Sequence, residues 1–141
     1  MTTKDAARKA QSSAAESRYT IMPEVLESQG RSMSAIVASR LCAECAEHAD
    51  APLWSLSFNK LRALAREHCA DAADFVPPQA PVLEAAFRLL LISPEDEVPL
   101  SALHEQLSEL WVNALRAQAV SPEALARVLR YDTRYGIVEL A

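Results

Sequence analysis

Apolar positions along the 141-residue chain recur mostly at helical spacing. Met33, Val37, Leu41 and Cys45 fall every four residues, with Ile36 beside them and Ser32 or Ser34 placed to cap. This spacing predicts one helix to about residue 49, ended by Asp50-Ala51-Pro52. Phe58, Leu61, Leu64 and Ala65 form the core stripe of a second helix behind Ser57, leaving Lys60, Arg62, Arg66 and Glu67 outside the stripe. The run Val82–Ile92 is apolar nearly all round and predicts a centrally buried helix, stopped at Ser93-Pro94. After Ser101, the residues Leu103, Leu107, Leu110, Trp111, Ala114 and Leu115 keep helical step, so one helix is expected to about residue 118. Ser121-Pro122-Glu123 combines an N-cap serine, a proline at the first helical position and an acid in the first turn. It opens a last helix with Leu125, Val128 and Leu129 facing inward. A short helix is expected within residues 21–30, started by Pro23 and stopped by Gly30.

Strand patterning is sparse. Glu97-Val98-Pro99 reads as a short edge strand and Ile137-Val138-Glu139-Leu140 as a strand-like tail. Residues 1–20 are polar and lack an apolar stripe, which predicts a mobile arm. Val76-Pro77-Pro78-Gln79-Ala80-Pro81 cannot lie inside a helix and marks a linker or stiff turn. The organisation expected is an arm (1–20), an N-terminal helical segment (21–76), a proline-rich linker (77–81) and a C-terminal unit (82–141), with helices on both sides able to share one core. The fold class is mainly α. Two glycines leave few sites for tight hairpins, and abundant alanine favours helix.

The order helix (82–92), strand (97–99), helix (101–118), helix (121–131) and strand (136–140) resembles a winged helix-turn-helix domain. The resemblance covers about the last 60 residues and is architectural, with no diagnostic motif. It implies that the helix after Ser121 is the recognition helix and that a minimal β-ribbon follows it. One wing strand follows that helix in sequence, so a full two-stranded wing is not expected. The helix after Ser101 is long for the family.

Composition narrows the function. The formal net charge is −5, and residues 71–109 carry eight acids against Arg88 alone. A duplex binder needs a basic face, so any such face here is small and local. Gly30 and Gly136 stand alone, which excludes glycine-rich phosphate loops. No apolar run approaches the roughly 18–20 residues of a membrane helix. No leader-like apolar segment is visible, and three cysteines give no complete disulfide framework. A reduced, cytoplasmic protein without membrane contact is expected.

Four constellations carry the candidate chemistry. Arg127, Arg130 and Arg134 recur at i, i+3 and i+7, with Tyr131 and Tyr135 placed to stack or bind phosphate. The bland alternative is a solvated face, with Glu123 pairing to Arg127. Trp54, Trp111, Tyr131 and Arg134 have the residue types of interface anchors. Cys42-x-x-Cys45, His48, His68 and Cys69 contain enough ligands for tetrahedral zinc. The two first cysteines are expected within one helix, however, with Cys45 on its buried stripe, so they read as small core residues. No metal and no cofactor is therefore expected. His48, His68 and His104 read as surface residues, and Glu95, Asp96 and Glu97 as a solvated loop. Nothing resembles a nucleophile held by a base, so the protein is expected to be no enzyme. The function that follows is a small non-catalytic adaptor or regulator binding another protein. The alternative is a winged-helix transcriptional regulator binding double-stranded DNA through Arg127, Arg130 and Arg134. A homo-oligomer fits either reading.

Overall fold

The computed structural model describes residues 17–113 and 120–140. The chain runs β1 (Arg18–Ile21), α1 (Pro23–Glu27), α2 (Met33–Ala38), α3 (Ala43–Glu47), a 3₁₀ turn (Leu53–Ser55), α4 (Phe58–His68), α5 (Val82–Ile92), β2 (Val98–Pro99), α6 (Leu100–Asn113), α7 (Pro122–Arg130) and β3 (Ile137–Leu140). The mainly α expectation holds, with one small antiparallel sheet. No helix among the described residues is long and apolar enough to cross a membrane. The arm expected over residues 1–16 and the end of the helix expected to 118 lie outside the described residues.

Helix starts follow local chemistry. Ser32, Ser57 and Ser121 each accept a hydrogen bond from the backbone N–H three residues on, satisfying a donor that the first turn leaves free. Pro23 and Pro122 occupy first-turn positions, where a missing N–H costs nothing.

Three expectations are corrected. Residues 18–20 are not part of a mobile arm: they form most of β1, the middle strand of the sheet order β2-β1-β3. Arg18 pairs with Pro99 on one side and Leu140 on the other, and Ile21 pairs with Ile137. Tyr19 and Ile21 alternate inward, a pattern too short to read in sequence. The single helix expected over 33–49 is broken into α2 and α3. Arg40 and Leu41 close tight i to i−3 turns onto Val37 and Ala38, and Cys42 is extended. Arg62, expected outside the core stripe, is only 6% exposed, because its Nη2 donates to the Leu90 carbonyl at the end of α5 (2.8 Å).

α5 is central, touching β1, α4, α6 and α7. Its buried face includes Ala85, Ala86, Phe87, Leu90 and Leu91, in one core with Val37, Leu61, Leu107 and Leu129. The proline segment is a stiff turn against this core: Val76 and Ala80 are buried, and the Phe75 carbonyl accepts from Arg88 Nη1 (2.9 Å).

One charged residue ties the layers together. Glu84, on α5, accepts from Arg40 Nε (2.7 Å) and Nη2 (2.8 Å), from Arg88 Nε (2.7 Å) and from Tyr135 Oη (2.7 Å). Tyr135 stacks on Phe87 at 4.8 Å, and the Arg40 guanidinium lies over both rings. Burial alone would raise the Glu84 carboxyl, but the hydrogen bonds from Arg40, Arg88 and Tyr135 hold it down at about 2. The turn that presents Tyr135 is built on Asp132, whose carboxylate accepts from the N–H groups of Arg134, Tyr135 and Ile137. It closes at Gly136, whose φ of +71° suits glycine.

Two outcomes follow. Gly136→Ala would place a Cβ 2.8 Å from the Met22 carbonyl oxygen in a left-handed conformation, and is expected to cost about 1–3 kcal/mol in denaturant unfolding. Glu84 is ionised in the folded protein down to about pH 2, below its unfolded value. Its stabilisation is therefore full above the ordinary carboxylate pKa and lost as pH falls from there toward 2. Glu84→Gln should flatten that acid limb and lower stability at neutral pH by about 2–4 kcal/mol. An unchanged pH profile would contradict this role.

Candidate functional site

The face expected to bind is carried by α7. Leu125 and Leu129 anchor the helix inward, which turns Arg127, Arg130 and Tyr131 outward, with Arg134 beyond the helix end. All four are exposed, Tyr131 at 72%. Val128, expected to face inward, is 37% exposed, because Leu125 and Leu129 alone define the buried side. Arg130 is not free: its Nε lies 3.2 Å from Glu139 Oε2 on β3. Among the described residues, Arg127 and Arg134 form no side-chain ion pair. Tyr135 does not join this face, since its hydroxyl donates to Glu84. Burial and the Glu84 hydrogen bond both raise its phenol pKa.

The two tryptophans separate. Trp54 is 67% exposed on the 3₁₀ turn packed against α2. Trp111 is not an interface anchor: it is 1% exposed, in the core on the same helical stripe as Leu103 and Leu107. The acids expected in a solvated loop are partly engaged. Asp96 pairs with Arg66 (2.9 Å) and lies 3.8 Å from Arg62, and Glu97 lies 3.7 Å from Arg18. Hydrogen bonding from Arg66, then the Arg62 charge, holds the Asp96 carboxyl below its ordinary range. A cleft of about 830 Å³ lies beside these groups, lined by Thr20, Phe58, Arg62, Arg66 and Asp96. Arg66 Nε also donates to the Ser93 carbonyl (2.7 Å), while the buried Arg62 Nε has no hydrogen-bond partner among the described residues. His104 is half-buried, with Nε2 2.8 Å from the Val120 carbonyl oxygen.

The three cysteines converge. The break between α2 and α3 makes Cys42 the N-cap of α3, with Cys45 three residues on, so the pair spans a helix start and not a helix interior. Cys69 is the C-cap of α4. The sulfurs of Cys42 and Cys45 are 3.6 Å apart, those of Cys45 and Cys69 3.5 Å, and those of Cys69 and Cys42 3.2 Å. The Cys42 N–H points to the Cys69 sulfur at 3.4 Å. Cys45 and Cys69 are buried and Cys42 is half-buried; all three are free thiols. Burial pushes the Cys45 and Cys69 thiols up. At Cys42 burial also raises, but hydrogen bonds from Cys69 and from the Cys45 and Glu44 backbone outweigh it and bring that thiol below its ordinary value.

The histidines surround this cluster without entering it. The His48 and His68 rings stack at 4.4 Å. His48 Nδ1 lies 2.9 Å from the Glu44 carbonyl oxygen. His68 Nδ1 is 3.7 Å from Glu44 and its Nε2 3.9 Å from Glu67. His68 is not a surface residue, its side chain being only 12% exposed.

The sequence pattern put Arg127 and Arg130 on the exposed side of α7, while Arg134, expected on the same stripe, lies beyond the helix end; two groupings were missed. The Glu84 cluster had one signal, an acid and an arginine four residues apart as the charged residues of an otherwise apolar helix. The thiol cluster had another, the polar Ser39-Arg40 pair, which interrupts the stripe just before Cys42. Compared with known proteins, the chain matches no family model, no curated protein and no solved structure.

Proposed function

We propose that this chain is a small non-catalytic regulatory protein that binds a partner protein through the outer face of α7. The observation that carries this reading is the exposure of Arg127, Val128 and Tyr131 along α7 and its cap, with Arg134 exposed in the turn that follows. Arginine and tyrosine are the residue types that dominate binding energy when buried at an interface, and exposed cations next to apolar surface suit an acidic partner. Glu139 already occupies Arg130 in this way, as an internal carboxylate on the same face.

One observation favours the alternative, a winged-helix regulator that binds duplex DNA. β1 lies antiparallel beside β3, so the strand after α7 has the neighbour that a two-stranded wing requires. In that reading β1 takes the place of the second wing strand. Two acids of the 71–109 block are also neutralised internally, Glu84 by Arg40 and Arg88 and Asp96 by Arg66.

Capture from nuclease-treated lysate separates the readings. A triple Arg127→Ala, Tyr131→Ala, Arg134→Ala variant with unchanged circular dichroism should lose a partner protein that the wild type retains, and Trp54→Ala should not. Equal capture by the triple variant would refute the α7 assignment. The DNA reading instead requires duplex affinity that falls steeply with salt, because arginine–phosphate contacts release counterions. Absence of duplex binding at low salt removes it.

A further inference from the structure

We propose that Cys42, Cys45 and Cys69 form a binding site for one thiophilic divalent cation of the zinc type. This site is independent of the α7 face.

The chain has three cysteines, and all three meet at one point although 24 and 27 residues separate Cys69 from the other two. Their sulfurs lie within 4.8 Å of one another, with edges of 3.2–3.6 Å. A zinc ion bound at about 2.3 Å in tetrahedral geometry requires sulfurs about 3.8 Å apart. The triangle therefore needs to open by about 0.6 Å at the Cys42–Cys69 edge and by less at the other two. Cysteines serving only as apolar filler, two buried and one half-buried, would have no reason to bring their sulfurs together in this way.

The Cys42 N–H points to the Cys69 sulfur at 3.4 Å, a backbone donor that favours charge on that buried sulfur. The Cys42 and Cys45 thiols donate to the His68 and Leu64 carbonyl oxygens at 3.6 Å and would release those protons on taking up the ion. Thiolate donors select zinc and related soft ions over magnesium or calcium.

Among the described residues, the converging atoms are the three sulfurs alone. The ring nitrogens of His68 face the carboxylates of Glu44 and Glu67, and His48 Nδ1 faces a carbonyl oxygen. The described residues thus supply three ligands. The fourth enters from the side of Cys42, the one cysteine of the three with exposed surface. A bound ion would clamp the start of α3 to the end of α4.

Metal analysis of the full chain, purified under reducing conditions without chelator, should find about one zinc per chain. Cobalt added to the metal-free protein should give a thiolate-to-metal charge-transfer band at one equivalent. Zinc should protect all three thiols from alkylation and raise the unfolding temperature. Cys42→Ser is the variant of choice, because that position is half-buried and circular dichroism can verify its fold. It should weaken zinc binding by more than the roughly 10- to 100-fold that changes around a ligand shell cost. His68→Gln should leave the cobalt spectrum unchanged. Wild-type protein that takes up neither zinc nor cobalt would overturn the proposal. So would zinc binding unaffected by Cys42→Ser, or an as-isolated mass showing that two of the thiols are joined as a disulfide.

Discussion

Glu84 accepts four hydrogen bonds from three side chains, and through them the two halves of the molecule meet. Arg40 comes from the turn after α2, Arg88 from the next turn of α5, and Tyr135 from the loop before β3. A carboxylate taken out of water is costly unless its lone pairs are filled, and here both oxygens are used twice. Removing any one partner would leave charge partly buried and underpaired. The cluster therefore fixes where the α2–α3 turn and the β3 loop lie against α5, and so the positions of Cys42, two residues from Arg40, and of α7, which ends just before the Asp132 turn.

From this constraint the two functional regions separate. The thiol cluster belongs to the N-terminal side, where α3 and α4 meet by their ends. The exposed arginines and Tyr131 belong to the C-terminal side, held outward because Leu125 and Leu129 are buried. The sheet spans this division. β1 precedes all the described helices yet lies between β2 and β3, so neither the N-terminal nor the C-terminal part completes the described sheet alone. A chain organised this way has a shared core across the proline turn, with Val76 and Ala80 buried at the crossing.

Helix positions were legible where local chemistry decides them. Ser57, Ser121 and Pro122 start helices as their side chains dictate, and the apolar run 82–92 is the central helix its composition requires. Long-range pairing was not legible. Tyr19 is buried because β2 and β3 flank it, and nothing near residue 19 carries that information. The break after Ala38 was masked because Leu41 and Cys45 continue the four-residue spacing while the backbone turns to deliver Arg40 to Glu84, 44 residues away. The same masking hid the thiol site, since a Cys-x-x-Cys placed mid-helix points to packing and one at a helix start points to ligation. Arg62 and Trp111 show the converse, with polar or amphipathic side chains drawn inward by a carbonyl or a packed stripe.

Native-state hydrogen exchange across a denaturant series, read by mass spectrometry, tests most directly whether Glu84 joins both halves into one cooperative body. Buried amides around Val37 and Leu61 should share a single opening free energy with those around Leu107 and Leu125, and Glu84→Gln should lower or divide it. N-terminal helices that open well below the C-terminal ones in the wild type would contradict a shared core held by this carboxylate.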